Sequence, residues 1–152
     1  MREKLKIRKA NLKDAEIIAD RNIMMAMETE QKELDVDTAL KGAKALIKDP
    51  HKGFYLVAEM GGRIIGQLMV TLEWSDWRNR NFFWLQSVYV PPEYRKQGIF
   101  SALFHHLKEI AKERKNVAGL RLYVEQHNET AKTVYESLGM FDTAYNMYEL
   151  NL

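Results

Sequence analysis

Between Phe82 and Glu125 the chain passes from a strongly apolar run, through two prolines and a short basic loop, into a striped helix and then a second apolar run. This succession constrains the fold more than any other feature. Phe82 to Val90 reads as a strand, and Pro91-Pro92 ends it, because proline cannot donate to a sheet ladder. A helix begins near Ile99 and extends to about Asn116. Its apolar residues Phe100, Leu103, Phe104, Leu107, Ile110 and Ala111 follow helical spacing and mark one buried stripe. Ala118 to Glu125 reads as the next strand. Two strands joined through a helix make a βαβ unit, so they are expected to lie parallel.

The remaining elements arrange themselves around that unit. Leu5 to Ala10 alternates apolar with basic residues and reads as a first strand. Asn11 and Asp14 suit the start of a helix carrying Ala15, Ile18, Met24 and Met25 on one side. The polar stretch Glu28 to Asp37 breaks this pattern, and Asp37 is expected to cap a second helix ending near Lys48. Gly53 to Met60 and Arg63 to Trp74 read as a hairpin closed by Gly61-Gly62. On its second strand Ile64, Leu68, Val70 and Leu72 are expected on one face, and Ile65, Gln67, Met69, Thr71 and Glu73 on the other. Glu129 to Leu138 reads as a short helix capped by Gly139. Phe141 to Leu150 reads as a last strand. The order β-α-α-β-β-β-α-β-α-β is an α+β fold in a single domain over residues 1–152. The sheet is expected to be mixed and mostly antiparallel, of about six strands, with four helices flanking it.

Composition narrows the functional classes. The 152 residues are 46% hydrophobic, enough for one core, and contain no cysteine. Disulfides, thiolate metal sites and a cysteine nucleophile are therefore excluded. No apolar run is long enough for a membrane span, and the charged Met1–Lys6 segment does not read as a secretory signal, so the cytoplasm is the expected location. A net charge of +2 does not point to nucleic acid. His105, His106 and His127 lack ligand spacing with one another, and no metal is expected.

The segment from Gln86 to Ser101 carries the chemistry. A helix start presents free N–H groups and the positive end of its dipole, which suits an anion such as a pyrophosphate. Gly98 lets the backbone approach a ligand, and Arg95 and Lys96 add charge. On spacing alone the same residues also suit an ordinary strand-to-helix turn bearing surface cations.

Val88 to Leu103 resembles motif A of the GNAT superfamily of N-acetyltransferases, Arg/Gln-x-x-Gly-x-Gly/Ala. Arg95 and Gly98 fill the first and fourth positions, and Phe100 replaces the small sixth residue. Asn128 to Met140 resembles motif B, with Asn128, Ala131, Tyr135 and Gly139 at the family's spacing. The element order resembles the family fold from end to end.

The resemblance implies acetyl-CoA as co-substrate and a primary amine, of a small molecule or peptide, as acceptor. The backbones of Val88 and Val90 would pair with the pantetheine arm, and an amide near Val88 or Tyr89 would polarise the acetyl carbonyl. Amides of Lys96, Gln97, Gly98, Ile99, Phe100 and Ser101 would hold the pyrophosphate. Asn128 would contact the cofactor arm, and Tyr135 would protonate the leaving thiolate. Some family members place a glutamate base where this chain has Trp84, which leaves Glu73 or a chain of waters. Met24, Met25, Met27, Glu28 and Glu30, with Trp74, Trp77 and Arg78, would shape the acceptor pocket. A rival reading is a non-catalytic acyl-CoA-binding module of the same fold. An exposed last strand would allow pairing in a homodimer.

Overall fold

The computed structural model describes residues 3–152; Met1 and Arg2, the first residues of the charged N-terminus, lie outside the described residues. The chain divides into two compact units, one up to Leu122 and one from Tyr123 to Leu152.

The first unit contains β1 (Lys6–Lys9), α1 (Ala15–Glu30), α2 (Val36–Lys48), β2 (Gly53–Met60), β3 (Arg63–Ser75), β4 (Arg80–Tyr89), α3 (Ile99–Arg114) and β5 (Val117–Arg121). These strands form one sheet in the order β1-β2-β3-β4-β5. The first four pair antiparallel, and β4 pairs parallel with β5, as the βαβ crossover demands. β5 stops at Arg121, short of the expected Glu125. Among the described residues the sheet has five strands rather than six.

Helix starts follow local chemistry. Asn11 accepts from Lys13 N–H at 3.0 Å, and Asp14 accepts from Asn11 N–H at 2.8 Å, a reciprocal capping box ahead of α1. Arg8 makes two hydrogen bonds to Asp14, at 2.7 and 3.0 Å, and a third to Glu59 at 2.7 Å, tying β1 to β2 and to the entry of α1. α1 continues through Glu28 to Glu30, past the polar boundary read from the sequence. Asp35, not Asp37, caps α2 by accepting from Thr38 N–H at 2.9 Å.

Apolar residues fill both faces of the sheet. Ile18, Ala19, Ala43 and Leu46 of α1 and α2 cluster with Tyr55 and Val57, and Ile64 and Met69 pack against them. Ile64 therefore leaves the face expected for it. The ladder runs from Ala58↔Gly66 to Glu59↔Ile64, so Ile65 is a bulge that inverts the alternation beyond it. α3 packs on β2, β3 and β5 and buries Leu103, Phe104 and Leu107. Full burial of each leucine stabilises the fold by roughly 1.5–3 kcal/mol. No helix among the described residues is long and apolar enough to cross a membrane.

The second unit holds α4 (Glu129–Ser137). Asn128 caps it by accepting from Ala131 N–H at 3.1 Å. Gly139, at φ 92°, ends it, and Met140 N–H bonds back to Tyr135 O at 3.1 Å. The expected strand Phe141–Leu150 does not form. Strand hydrogen bonds need a neighbouring strand, and this unit contains none. Phe141, Tyr145, Met147, Tyr148 and Leu150 are exposed.

Candidate active site

β4 is interrupted where the sequence gives no warning. Gln67 pairs with Tyr89 and Met69 with Gln86, so two steps on β3 face three on β4. The extra residue lies at Ser87–Val88, and Ser87 has φ 49°. A serine in the left-handed region is a strained position, and bulges of this kind re-aim a strand next to functional sites. Pairing with β5 has already ended at Trp84↔Arg121. Leu85 to Tyr89 therefore run on with one backbone edge free of any strand partner in this sheet. An extended ligand can add to such an edge through main-chain hydrogen bonds.

The loop beyond β4 leads into an anion-binding geometry. Lys96 at φ 61° and Gly98 at φ 77° both turn the backbone left-handed. The first helical bond of α3 runs from Ala102 N–H to Gly98 O at 3.0 Å, and no side chain caps the helix. The amides of Ile99 and Ser101 are left without helical acceptors at the positive end of the dipole. The space before Gly98 is open: a Cβ built there meets nothing within 4 Å. Ile99 is fixed by its seat on β3, where a Cβ on Gly66 would lie 2.7 Å from its Cγ2. Glycine at 66 thus sets how closely the start of α3 approaches the sheet. Phe100 is half-buried, its ring 6.1 Å from that of Phe104, so the atypical side chain lies along the helix.

Arg95 turns towards α1. Its guanidinium donates to both oxygens of Glu28, at 2.6 and 2.9 Å, and its Nε donates to Val90 O at 2.8 Å. The guanidinium lies 5.6 Å from the Tyr89 ring centre. Hydrogen bonding to Arg95 holds the Glu28 carboxyl below its usual range, and burial pushes the Tyr89 phenol up. Glu28 at the end of α1 thereby stands beside the loop. Gln67, at 1% exposure, donates to Asn22 Oδ1 at 2.9 Å, and its own Oε1 has no protein partner.

The acetyltransferase (GNAT) family pattern matches residues 20–140. The chain belongs to the GNAT acetyltransferase family. A possible acetyltransferase from Clostridium difficile 630 is 50% identical over 97% of both chains, with a TM-score of 0.92. An uncharacterised N-acetyltransferase, YhfO, of Bacillus subtilis (strain 168) is 30% identical, covering 74% of this chain and 78% of that protein. The thialysine N-epsilon-acetyltransferase of Bos taurus is 37% identical over 82 residues, or 54% of this chain. The chain spans about half the length of that bovine relative, 47% of it.

Not every expected residue of this GNAT chain is gathered at that loop. Val88 to Val90 and Lys96 to Ser101 are contiguous with the bulged edge and the helix start. Glu73 is not. It pairs with Phe82, six residues before Val88, which is roughly 20 Å of extended strand. Its oxygens accept from Trp84 Nε1 at 2.7 Å and Arg121 Nη1 at 2.5 Å. A base must lie within hydrogen-bond or single-water reach of its proton, so Glu73 is poorly placed for chemistry at Val88. Trp74, Trp77 and Arg78 occupy that same far end of the sheet, and Arg78 lies 5.0 Å from the Phe82 ring. In the second unit Asn128 commits its oxygen to capping, while Tyr135 is half-buried and burial pushes its phenol above the usual value. The bulge at Ser87 and the Arg95–Glu28 pair were not legible beforehand. Gly66, inside a strand pattern, was the one available hint of a close approach.

Proposed function

We propose that this protein is an N-acetyltransferase that transfers an acetyl group from acetyl-CoA to a primary amine of a small molecule or peptide. One observation carries the proposal: the partnerless edge of β4 leads directly into the uncapped amides at the start of α3. That is a main-chain slot for an extended amide-bearing arm, followed by donors for an anionic group. Acetyl-CoA has this construction and supplies an activated acetyl thioester.

In this reading the backbones of Val88 and Val90 bind the arm. The amide of Val88 or Tyr89 stabilises negative charge developing on the carbonyl oxygen. Lys96 to Ser101 bind the pyrophosphate, with Phe100 contributing through its backbone. Asn128 keeps its Nδ2 group for the arm while its oxygen caps α4. Tyr135 supplies the proton to the departing sulfur, and a phenol raised by burial stays protonated throughout the neutral range. The amine surrenders its proton to water, since Glu73 is engaged elsewhere; Glu73 orients Trp84 and Arg121. The relatives named for acetylating thialysine support an amine acceptor, although they match over about half of this chain.

Release of CoA thiol from acetyl-CoA, measured across a panel of primary amines, tests the proposal. At least one amine should turn over. Tyr135→Phe should lower kcat on the order of 100-fold and leave acetyl-CoA affinity unchanged. Stabilisation by acetyl-CoA with no thiol release from any amine favours the binding-module reading. Absence of any rise in melting temperature with acetyl-CoA sinks both.

A further inference from the structure

The end of the sheet away from the cofactor loop contains a cleft of about 190 Å³, open between the end of β1, the start of β2 and the last turn of α3. α3 is sixteen residues long, so its two ends lie about 24 Å apart. The cleft is therefore separate from the proposed acetyl-CoA site. Ile47, Pro50, Phe54 and Leu72 give it apolar walls, and Lys9 and Arg114 stand on its rim. The lining contains no carboxylate.

The two cations are held together without a counter-charge. Lys9 Nζ lies 4.8 Å from the Phe54 ring centre, and the Arg114 guanidinium lies 5.3 Å from the same ring and 5.6 Å from Phe83. Phe54 and Phe83 meet edge to face at 5.7 Å, which fixes the platform. Among the described residues neither cation makes an ion pair. Burial, and then the charge of Arg114, push the Lys9 ammonium below its usual value. The aromatic faces attract each cation but do not neutralise it. Like charges gathered beside an apolar hollow present the complement of an anion with an apolar body. A cavity of roughly 150 Å³ accommodates a benzene ring, so the hollow is sized for a single ring.

We propose that this cleft is a second binding site, for a small organic anion whose ring-sized apolar body enters the hollow and whose anionic head lies between Lys9 and Arg114. The head is a carboxylate or a phosphate, both of which suit a guanidinium. This proposal does not depend on the acetyltransferase reading.

Titrations of the full chain, followed by amide NMR, test it with four probes: benzoate, phenyl phosphate, benzyl alcohol and inorganic phosphate. Benzoate or phenyl phosphate should shift the amides around Lys9, Phe54 and Arg114 and bind at least tenfold tighter than benzyl alcohol or inorganic phosphate. Tighter binding of benzoate identifies a carboxylate site, and tighter binding of phenyl phosphate a phosphate site. Lys9→Gln and Arg114→Gln should each weaken the better anion about tenfold. Both positions are exposed, so unchanged melting temperatures serve as the folding control. Equal binding of benzyl alcohol, equal binding of inorganic phosphate, unaltered affinity in both variants, or shifts confined to Lys96–Ser101 would each overturn the proposal.

Discussion

Gly66→Ala perturbs the site from the opposite side of the sheet contact. The residue lies in β3 with no left-handed torsion, so alanine is conformationally acceptable there and would on its own slightly favour folding. The added methyl would lie 2.7 Å from Ile99 Cγ2, 3.4 Å from Leu103 Cδ1 and 3.5 Å from Val90 Cγ2. Carbon atoms prefer separations of about 3.5–4.0 Å, so the first contact must open by roughly 1 Å. Ile99 is β-branched and helical, which leaves its side chain little freedom to rotate away. The start of α3 must lift instead, and overpacking of this kind costs about 1–3 kcal/mol. A lift of that size stretches a hydrogen bond from an ordinary 2.9 Å towards the limit of bonding. Loss of one such bond is worth about 1.4 kcal/mol, or tenfold in affinity. Urea unfolding should show the stability loss, and calorimetric titration should show acetyl-CoA binding weakened about tenfold. In a double-mutant cycle Ile99→Ala should cost less in the Gly66→Ala background than in the native chain, because it removes the clashing methyl. Gly66→Ala with native stability and affinity within twofold of native would refute the argument that this contact sets the helix start.

Other perturbations separate the fold from the site. Gly98→Ala should cost about 1–2 kcal/mol from its left-handed torsion and weaken acetyl-CoA binding, both measurable by melting and titration. Asp14→Asn should destabilise by about 2 kcal/mol, since Arg8 loses its buried partner. The hydrogen bonds from Arg8 depress the Asp14 carboxyl in the folded chain. Its stabilising effect is thus complete above the ordinary carboxylate range, near about pH 4, and is lost as pH falls through the lower folded value. Acid unfolding of Asp14→Asn should lack that component. The Arg95–Glu28 pair is about two-fifths exposed on each side, so Arg95→Gln should cost less than about 1 kcal/mol in stability. Its effect should appear as a several-fold rise in the amine KM, because the end of α1 loses its tie to the cofactor loop.

The sequence pattern carried the connectivity and the position of the strand-to-helix loop. The stripe from Leu103 to Leu107 and the double proline before it were sufficient to read the crossover and the parallel pair. The hairpin was legible because Gly61-Gly62 leaves little choice of turn. Three features were hidden for one reason: strand periodicity assumes unbroken pairing. The bulge at Ile65 moved Ile64 off its expected face of β3, while the alternation from Gly66 onward runs as expected. The bulge at Ser87 broke the register of β4 against β3, with an ordinary serine in a torsion that its sequence does not advertise. The Phe141–Leu150 segment has apolar residues enough for a strand, but local composition cannot supply the neighbour a strand requires. Glu73 suggested a base by its place on β3, and only the register with Phe82 revealed its distance from Val88. Arg95 suggested a phosphate ligand by its position in the motif, and its bidentate bond to Glu28 depended on a helix 67 residues away in the chain.

The β4 edge and the start of α3 are proposed to act as a single cofactor slot. Amide NMR of the full chain titrated with acetyl-CoA examines that claim most directly. The amides of Val88 to Val90 and of Gly98 to Ser101 should shift together along one binding curve and become protected from hydrogen exchange. Saturable binding that leaves both segments unshifted, or that shifts the α3 start without the β4 edge, would contradict it.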